Sequence, residues 1–474
     1  MKKWMIRALS ALLIAAFLPV SVLADEYDLN EGSVTVSTSK GADGSTQQNV
    51  THKDNTKPDS NPTITSNGQQ TDNTITINAG AGTTANVTIK DANISASSGK
   101  AAIKTGGEGN VNLNVEGTNT VSSGSNYAGV EKANAGNLTI GSESGSGELT
   151  ANGGWHGAGI GGGHYRDAND ITITGGEVTA NGGDGAAGIG GGYYSYGKDI
   201  TISGGKVVAN GSGSAAGIGG GHYGNGSNIT ISGGEVTATG GDYGAGIGGG
   251  YYGNGSNITI SGGEVTATGG DCGAGIGGGY GRGGSNIAIS KDSQVEAVGG
   301  AVGEAGGSSD GCGAAIGNGG NNNRVNGSEI EPDTSGLYTT GKVERKRGDG
   351  TALDTITGTV EPPKSASSEE EADKREPLYR VLNLDGNSLE HQAQKADGVL
   401  ALTAKADGAI LTGTLRALGY LQNQGIEKIT FTDGAHSAEL VLADLIAKGQ
   451  PEDVYVLTLG AENTLTLNGE AIDF

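Results

Sequence analysis

The hexad Ala-Gly-Ile-Gly-Gly-Gly starts at Ala158, Ala187, Ala216, Ala245 and Ala274, once every 29 residues and with no spacer between copies. Its surroundings repeat too, most cleanly as Ser227-Asn228-Ile229-Thr230-Ile231-Ser232-Gly233-Gly234-Glu235-Val236-Thr237-Ala238-Thr239. A fixed period of this kind means stacked units that each contact only their neighbours, not a compact enzyme domain. Each unit offers three short strands separated by Gly-rich turns. The first alternates Ile-Thr-Ile-Ser with Ile inward. The second is Glu-Val-Thr-Ala, with Val178, Val207, Val236 and Val265 inward, and the third places Ile160, Ile189, Ile218, Ile247 and Ile276 inward. Three parallel strands per turn, rungs about 4.8 Å apart, define an all-β parallel β-helix in which like residues stack on like. The Leu/Asn pattern of leucine-rich repeats and the period of nine of the Ca²⁺-binding roll are both absent.

The array is expected over residues 73–325, in roughly eight coils. Early coils are degenerate, as in Asn86-Val87-Thr88-Ile89 with Ala101-Ala102-Ile103, and the last coil, from Asn286, carries an insertion. Residues 25–72 are polar and read as a cap or an irregular segment. Residues 326–375 read as an acidic linker containing Pro and Ser, with Arg345-Lys346-Arg347 as a solvated run. Residues 376–474 become Leu-rich and Gly-poor, a small α/β or α+β module. Its strand candidates are 379–384, 428–432, 439–442, 454–459 and 464–467, with a helix over 412–422 capped by Thr412.

Residues 1–24 read as a secretory signal: Lys2, Lys3 and Arg7, then an apolar run from Ala8 to Val20, then Val22-Leu23-Ala24 at the cleavage position. The run is shorter than the ~20 residues of a spanning helix. No cysteine stands directly after it, and no Leu-Pro-x-Thr-Gly motif is present. The expectation is an exported chain, secreted or at the cell surface, with no transmembrane segment after signal removal. The formal net charge of −23 becomes −26 once those three cations leave. Such a balance argues against nucleic acid and anionic lipid, and leaves cations, neutral sugars or a basic partner.

Cys272 and Cys312 are the only cysteines. Each lies two residues before a third strand, so they share a column on adjacent rungs. A rung spacing of ~4.8 Å falls within the Cα separation of a disulfide, and a bond is expected in an exported protein.

Stacking turns a repeated surface residue into a ladder. After the Gly triplet runs His164, Tyr193, His222, Tyr251, Tyr280; beside it run Tyr165, Tyr194, Tyr223, Tyr252 and Gly281. Trp155, the one tryptophan beyond the leader, lies nearby. Pyranose rings pack on aromatic faces, so these ten aromatic residues are candidate carbohydrate-binding groups. A structural ladder that covers the loop edge is the other reading. The column Asp170, Asp199, Asn228, Asn257, Asn286 reads as an Asn ladder bonding its neighbours, with Asp170 and Asp199 as a secondary Ca²⁺ candidate. Glu177, Glu235 and Glu264 read as a solvated face. Outward Thr172/Thr174, Thr201/Ser203, Thr230/Ser232 and Thr259/Ser261 form a flat array of the ice-binding kind, interrupted by Ser and Ala288.

Gly-Gly-Glu-Val-Thr-Ala with Ala-Gly-Ile-Gly-Gly-Gly, behind a signal sequence, resembles Gly-rich repeat surface proteins of Gram-positive gut bacteria. The Ala-Ala-Ile-Lys and Asn-Val-Thr-Ile coils are similar to a β-helical carbohydrate-binding domain of clostridial secreted proteins, over roughly 73–325. That resemblance implies plant polysaccharide as ligand, with Ca²⁺. Pectin-type lyases and hydrolases share the fold and use Asp clusters with Arg or Lys, or carboxylates with His. Here arginine is nearly absent from the array's coils (Arg166 and Arg282), there is no Asp-Asp pair, and the histidines His164 and His222 are repeat members. Its breaks, Trp155-His156 and Gly303–Gly311, hold no catalytic set. The expectation is a carbohydrate-binding, adhesin-like protein without catalysis. A polysaccharide-degrading enzyme, or a stalk displaying a protein-binding module at 376–474, are the alternatives.

Overall fold

The computed structural model describes residues 25–301, 313–320, 326–361 and 379–472, except positions 43, 388, 397, 407, 424–425 and 451–452. The proposed leader, the insertion and Cys312 lie outside the described residues. Two units are distinguished, Met1–Pro363 and Lys364–Phe474.

The first unit is a parallel β-solenoid of about 11 turns. A regular turn runs Gly226–Ile231, Glu235–Thr239, Ile247–Gly248, and each strand stacks on its equivalent 29 residues on. The register pairs Ile200, Ile229, Ile258 and Ile287 in one column. Ile189, Ile218, Ile247, Ile276 and Ile316 pair in another. These chains are buried and form one continuous core from Tyr27 to Val343. Each buried Ile or Val contributes about 1.5–3 kcal/mol of apolar transfer.

The third sheet explains the glycines. In the hexad coils its strands are only two residues long, and the second residue has a positive φ (137° at Gly190). A Cβ on Gly190 would lie 2.0 Å from the Gly219 carbonyl oxygen of the next rung. No side chain fits between backbones that close, so the hexad is written in glycine.

The solenoid is longer than 73–325. Glu26–Asp28 pairs with Thr63–Thr65, and Val34–Lys40 pairs with Ile75–Ala79, so 25–72 supplies the first coils. Those strands are Thr, Ser and Asn outside with Val34, Val36 and Val50 buried inside, which hides them in a polar composition. An antiparallel hairpin, Thr46–His52 with Asn55–Pro58, extends the third sheet and covers its edge.

The stretch read as a linker closes the other end. Lys342–Lys346 stacks in parallel on Gln294–Val298 and pairs antiparallel with Ala352–Thr357. Register sets Arg345 against the inward-facing Ala297, so it points into the solenoid end, not into solvent. Its guanidinium donates to Asp354 Oδ1 at 2.7 Å and Glu331 Oε1 at 3.1 Å. Beside it, Glu329 accepts from the Ala315 and Ile316 amides at 2.7 and 3.1 Å, capping the last strand of the third sheet. Arg345 is thus a plug held by carboxylates, as a buried cation requires, while Arg347 stays exposed.

The second unit contains a five-stranded and a four-stranded sheet with two short helices, Leu415–Asn423 and Leu442–Ile446. Lys428–Thr432, Val454–Leu459 and Thr464–Leu467 occur where the sequence places them. Three further strands, His391–Ala396, Val399–Ala404 and Ala409–Thr414, lie outside the sequence's strand candidates. The helix starts later than expected: Thr412 lies in a strand and donates to the Tyr455 carbonyl, while Thr414 accepts from Ala417 N.

Candidate functional site

Because the third-sheet strand of each hexad coil is two residues long, the turns before and after it converge on one edge. The Trp155-His156 turn meets the His164-Tyr165 turn, with the two imidazoles 4.6 Å apart. Two aromatic columns rise from there. The outer one is Tyr165, Tyr194, Tyr223, Tyr252, with ring centroids 5.6, 5.3 and 5.9 Å apart and planes within 18° of parallel. The Arg282 guanidinium ends it, 5.7 Å from the Tyr252 ring.

The inner column differs from its expected membership. Tyr193, His222 and Tyr251 stack at 5.1 and 5.2 Å. The ring below Tyr193 is His156, at 4.2 Å and 20°, whereas His164 meets Tyr193 edge-on. His164 instead stacks on Tyr165 at 4.0 Å. Sequence spacing hides this, since His156 stands eight residues before the repeat position and reaches the column only through the shortness of the third strand. Tyr280, at the far end of the inner column, is buried and so lies off the exposed edge.

Stacking face to face has a chemical consequence. The outer tyrosines cover one another's faces and present their edges and hydroxyls. Tyr165 is 68% exposed, Tyr194 45% and Tyr223 44%. A broad open aromatic face belongs to Trp155, 63% exposed, whose indole N–H donates to His156 Nε2 at 2.7 Å. Burial pushes the Tyr193 phenol up to about 12 and the Tyr251 phenol higher, and lowers the His156 and His222 imidazoles, so these four inner-column groups favour their neutral forms.

The outer tyrosines also have an unusual backbone. Tyr165, Tyr194, Tyr223 and Tyr252 have φ of 57°, 60°, 59° and 52°. Bulky residues are uncommon in this left-handed region, where each costs of order 1 kcal/mol. At the same place in the next coil stands Gly281, with φ 65°.

The repeat breaks where the columns begin. Glu131 sits in register with Gly161, fully buried. In the regular coils the hexad's first amide donates to a Gly carbonyl, as Ala158 N does to Gly162 O at 3.0 Å. In this coil Ala128 N donates to Glu131 Oε2 at 3.3 Å, so a carboxylate replaces the backbone acceptor. Burial raises the Glu131 carboxyl, against the opposing pull of Lys104 and Arg166.

Asp170, Asp199, Asn228, Asn257 and Asn286 all occupy left-handed turn positions. Asn228 Nδ2 donates to Asp199 Oδ1 at 2.8 Å, and Asn257 and Asn286 continue the ladder at 3.0 Å. The Asp170 carboxylate accepts from Asn169 Nδ2 at 2.8 Å. Asp199 therefore starts the ladder as an acceptor, while Asp170 is bonded within its own turn. Among the described residues, no group of three or more His, Cys, Asp or Glu is placed to hold a metal ion. Cys272 is buried, and its expected partner Cys312 lies outside the described residues. No described helix is long and apolar enough to cross a membrane.

Residues 144–164, 171–193, 200–222, 229–251 and 258–280 match the model of a beta helix repeat. No curated protein and no solved structure matches the chain. The matched segments end at His164, Tyr193, His222, Tyr251 and Tyr280. The outer tyrosines follow directly after each of the first four segments and lie outside the matched repeat. The chain is a parallel β-helix repeat protein.

Proposed function

We propose that this protein is an exported, non-catalytic β-helix that binds carbohydrate through its aromatic edge, as a secreted or surface-attached adhesin of a bacterium. The observation that carries this reading is the outer column: four tyrosines held in a conformation that Gly281 adopts without strain, with Tyr165, Tyr194 and Tyr223 exposed. Strained backbone retained at an exposed position supports a use for the side chain. Trp155 supplies an open face for a sugar ring, and the uncharged phenols and imidazoles supply hydroxyl partners. The leader-like residues 1–24 and the resemblance to Gly-rich surface proteins of Gram-positive bacteria support export, and the β-helix repeat supports the glycan-binding class. A Cys272–Cys312 bond belongs to the same reading, and peptide mapping without reduction should recover the linked pair.

The test is binding of the purified chain to a panel of soluble and insoluble polysaccharides, with Ca²⁺ and with chelator. Saturable binding, lost on combined Tyr194→Gly, Tyr223→Gly and Tyr252→Gly substitution, is the expected result. Absence of binding across the panel would overturn the reading. Turnover of a pectin-type polymer would replace it with an enzyme.

A further inference from the structure

Resting on that reading, we infer that the ligand is a linear, neutral glycan of extended β-1,4-linked hexopyranoses, lying along the solenoid axis with one sugar per rung. The ring-to-ring steps of 5.3–5.9 Å along the outer column are close to the advance per residue of such a chain. A ladder whose period matches its ligand offers each sugar the same contact. A helical α-1,4 chain or a curving β-1,3 chain leaves this straight track after a sugar or two. The covered ring faces sharpen the choice: the track offers edges and hydroxyls, which suit a ligand whose hydroxyls project sideways along its length. The Trp155 face at one end gives a single sugar ring a stacking platform, and Arg282 marks the other end. Charge selects a neutral polymer, since the chain is strongly acidic and the inner-column imidazoles stay uncharged near neutral pH.

The experiment is titration calorimetry of the full mature chain with cello-oligosaccharides of increasing length, and with β-1,3- and α-1,4-linked gluco-oligosaccharides of equal length. The expected result is affinity that climbs with each added β-1,4-linked sugar and levels off when the sugars equal the rungs of the edge. Trp155→Ala should remove the increment of one sugar, and Tyr223→Gly should weaken long oligomers at least tenfold while barely changing the shortest. Binding to polysaccharide with no dependence on length or linkage would overturn this inference and leave the broader reading standing. Failure to bind any member of the polysaccharide panel would overturn both. Concentration-dependent dimerisation lost in Tyr223→Gly would also overturn it, by assigning the edge to a second copy of the chain.

Discussion

Two columns four residues apart on the same turn use left-handed backbone for opposite ends. In the column of Gly161, Gly190, Gly219, Gly248 and Gly277, φ is 132–138° and a Cβ would stand 2.0–2.1 Å from the next rung's carbonyl. In the column of Tyr165, Tyr194, Tyr223 and Tyr252, φ is 52–60° and the side chain leaves into solvent. Glycine is compulsory at those five positions of the first column and optional in the second, where Gly281 shows that the turn accepts it. A compulsory glycine reports the fold. An optional one, declined four times in five, reports a selected side chain.

The largest effect expected from breaking this comparison is in the compulsory column. Gly190→Ala forces a Cβ into the Gly219 carbonyl at a φ that L-residues rarely adopt, so it should destabilise by about 3 kcal/mol or more. Chemical denaturation of the isolated chain reads it directly. A loss below about 1 kcal/mol would mean the rungs can part, and the close backbone approach would no longer explain the hexad.

The optional column should respond the other way. Tyr194→Gly, Tyr223→Gly and Tyr252→Gly each lose stacking of about 0.5–1.5 kcal/mol and relieve backbone strain of similar size. Stability should therefore move by less than about 1 kcal/mol per site, while polysaccharide binding falls more than tenfold. Large destabilisation with unchanged binding would return the ladder to a purely structural role.

The repeat made the core legible. Inward Ile and Val recur at 29-residue spacing, and the structure stacks them in that register. What escaped the sequence lies where a residue's neighbours come from another rung. His156 joins the inner column because a two-residue strand folds two turns together. Arg345 looks like part of a solvated basic run until the pairing of Ala297 with Arg345 sets it inward. The first coils were hidden because Thr, Ser and Asn cover their outer faces and leave only a few Val residues to mark the inside. At the edge, the sequence named the aromatic residues but not their plane. Stacked rings show edges where a sequence-based argument expects faces.

Glu131 sharpens the comparison from inside the compulsory column. It takes the Gly161 register and lends a carboxylate oxygen where other coils use a carbonyl. Burial raises its carboxyl above the ordinary 4.5, so the folded state holds its proton more tightly than the unfolded chain. Its contribution to stability is most favourable below pH 4.5 and declines as pH rises through the raised value. Glu131→Gln keeps an acceptor for Ala128 N and removes the buried charge. The variant should be more stable than the parent at pH 7 and indistinguishable from it at pH 4, by thermal melts at both. Equal melting at both pH values would show that Arg166 and Lys104 fully offset the burial.

The smallest expected change comes from adding a rung in place of removing one. Gly281 is the open place in the outer column, and a Cβ there would meet only the Tyr252 ring, at 3.3 Å. Gly281→Tyr should stack on Tyr252 and displace Arg282 from its face. The strain of a left-handed Tyr, about 1 kcal/mol, is offset by a stack of similar worth, so melting should hardly move. If the column is a track for a linear glycan, its affinity for long β-1,4 oligomers should rise severalfold, and the length at which affinity levels off should grow by one sugar. If the tyrosines only shield the turn, the added ring changes nothing that binding can read. The same substitution thus separates a surface that happens to repeat from one whose length is itself the measure of what it holds.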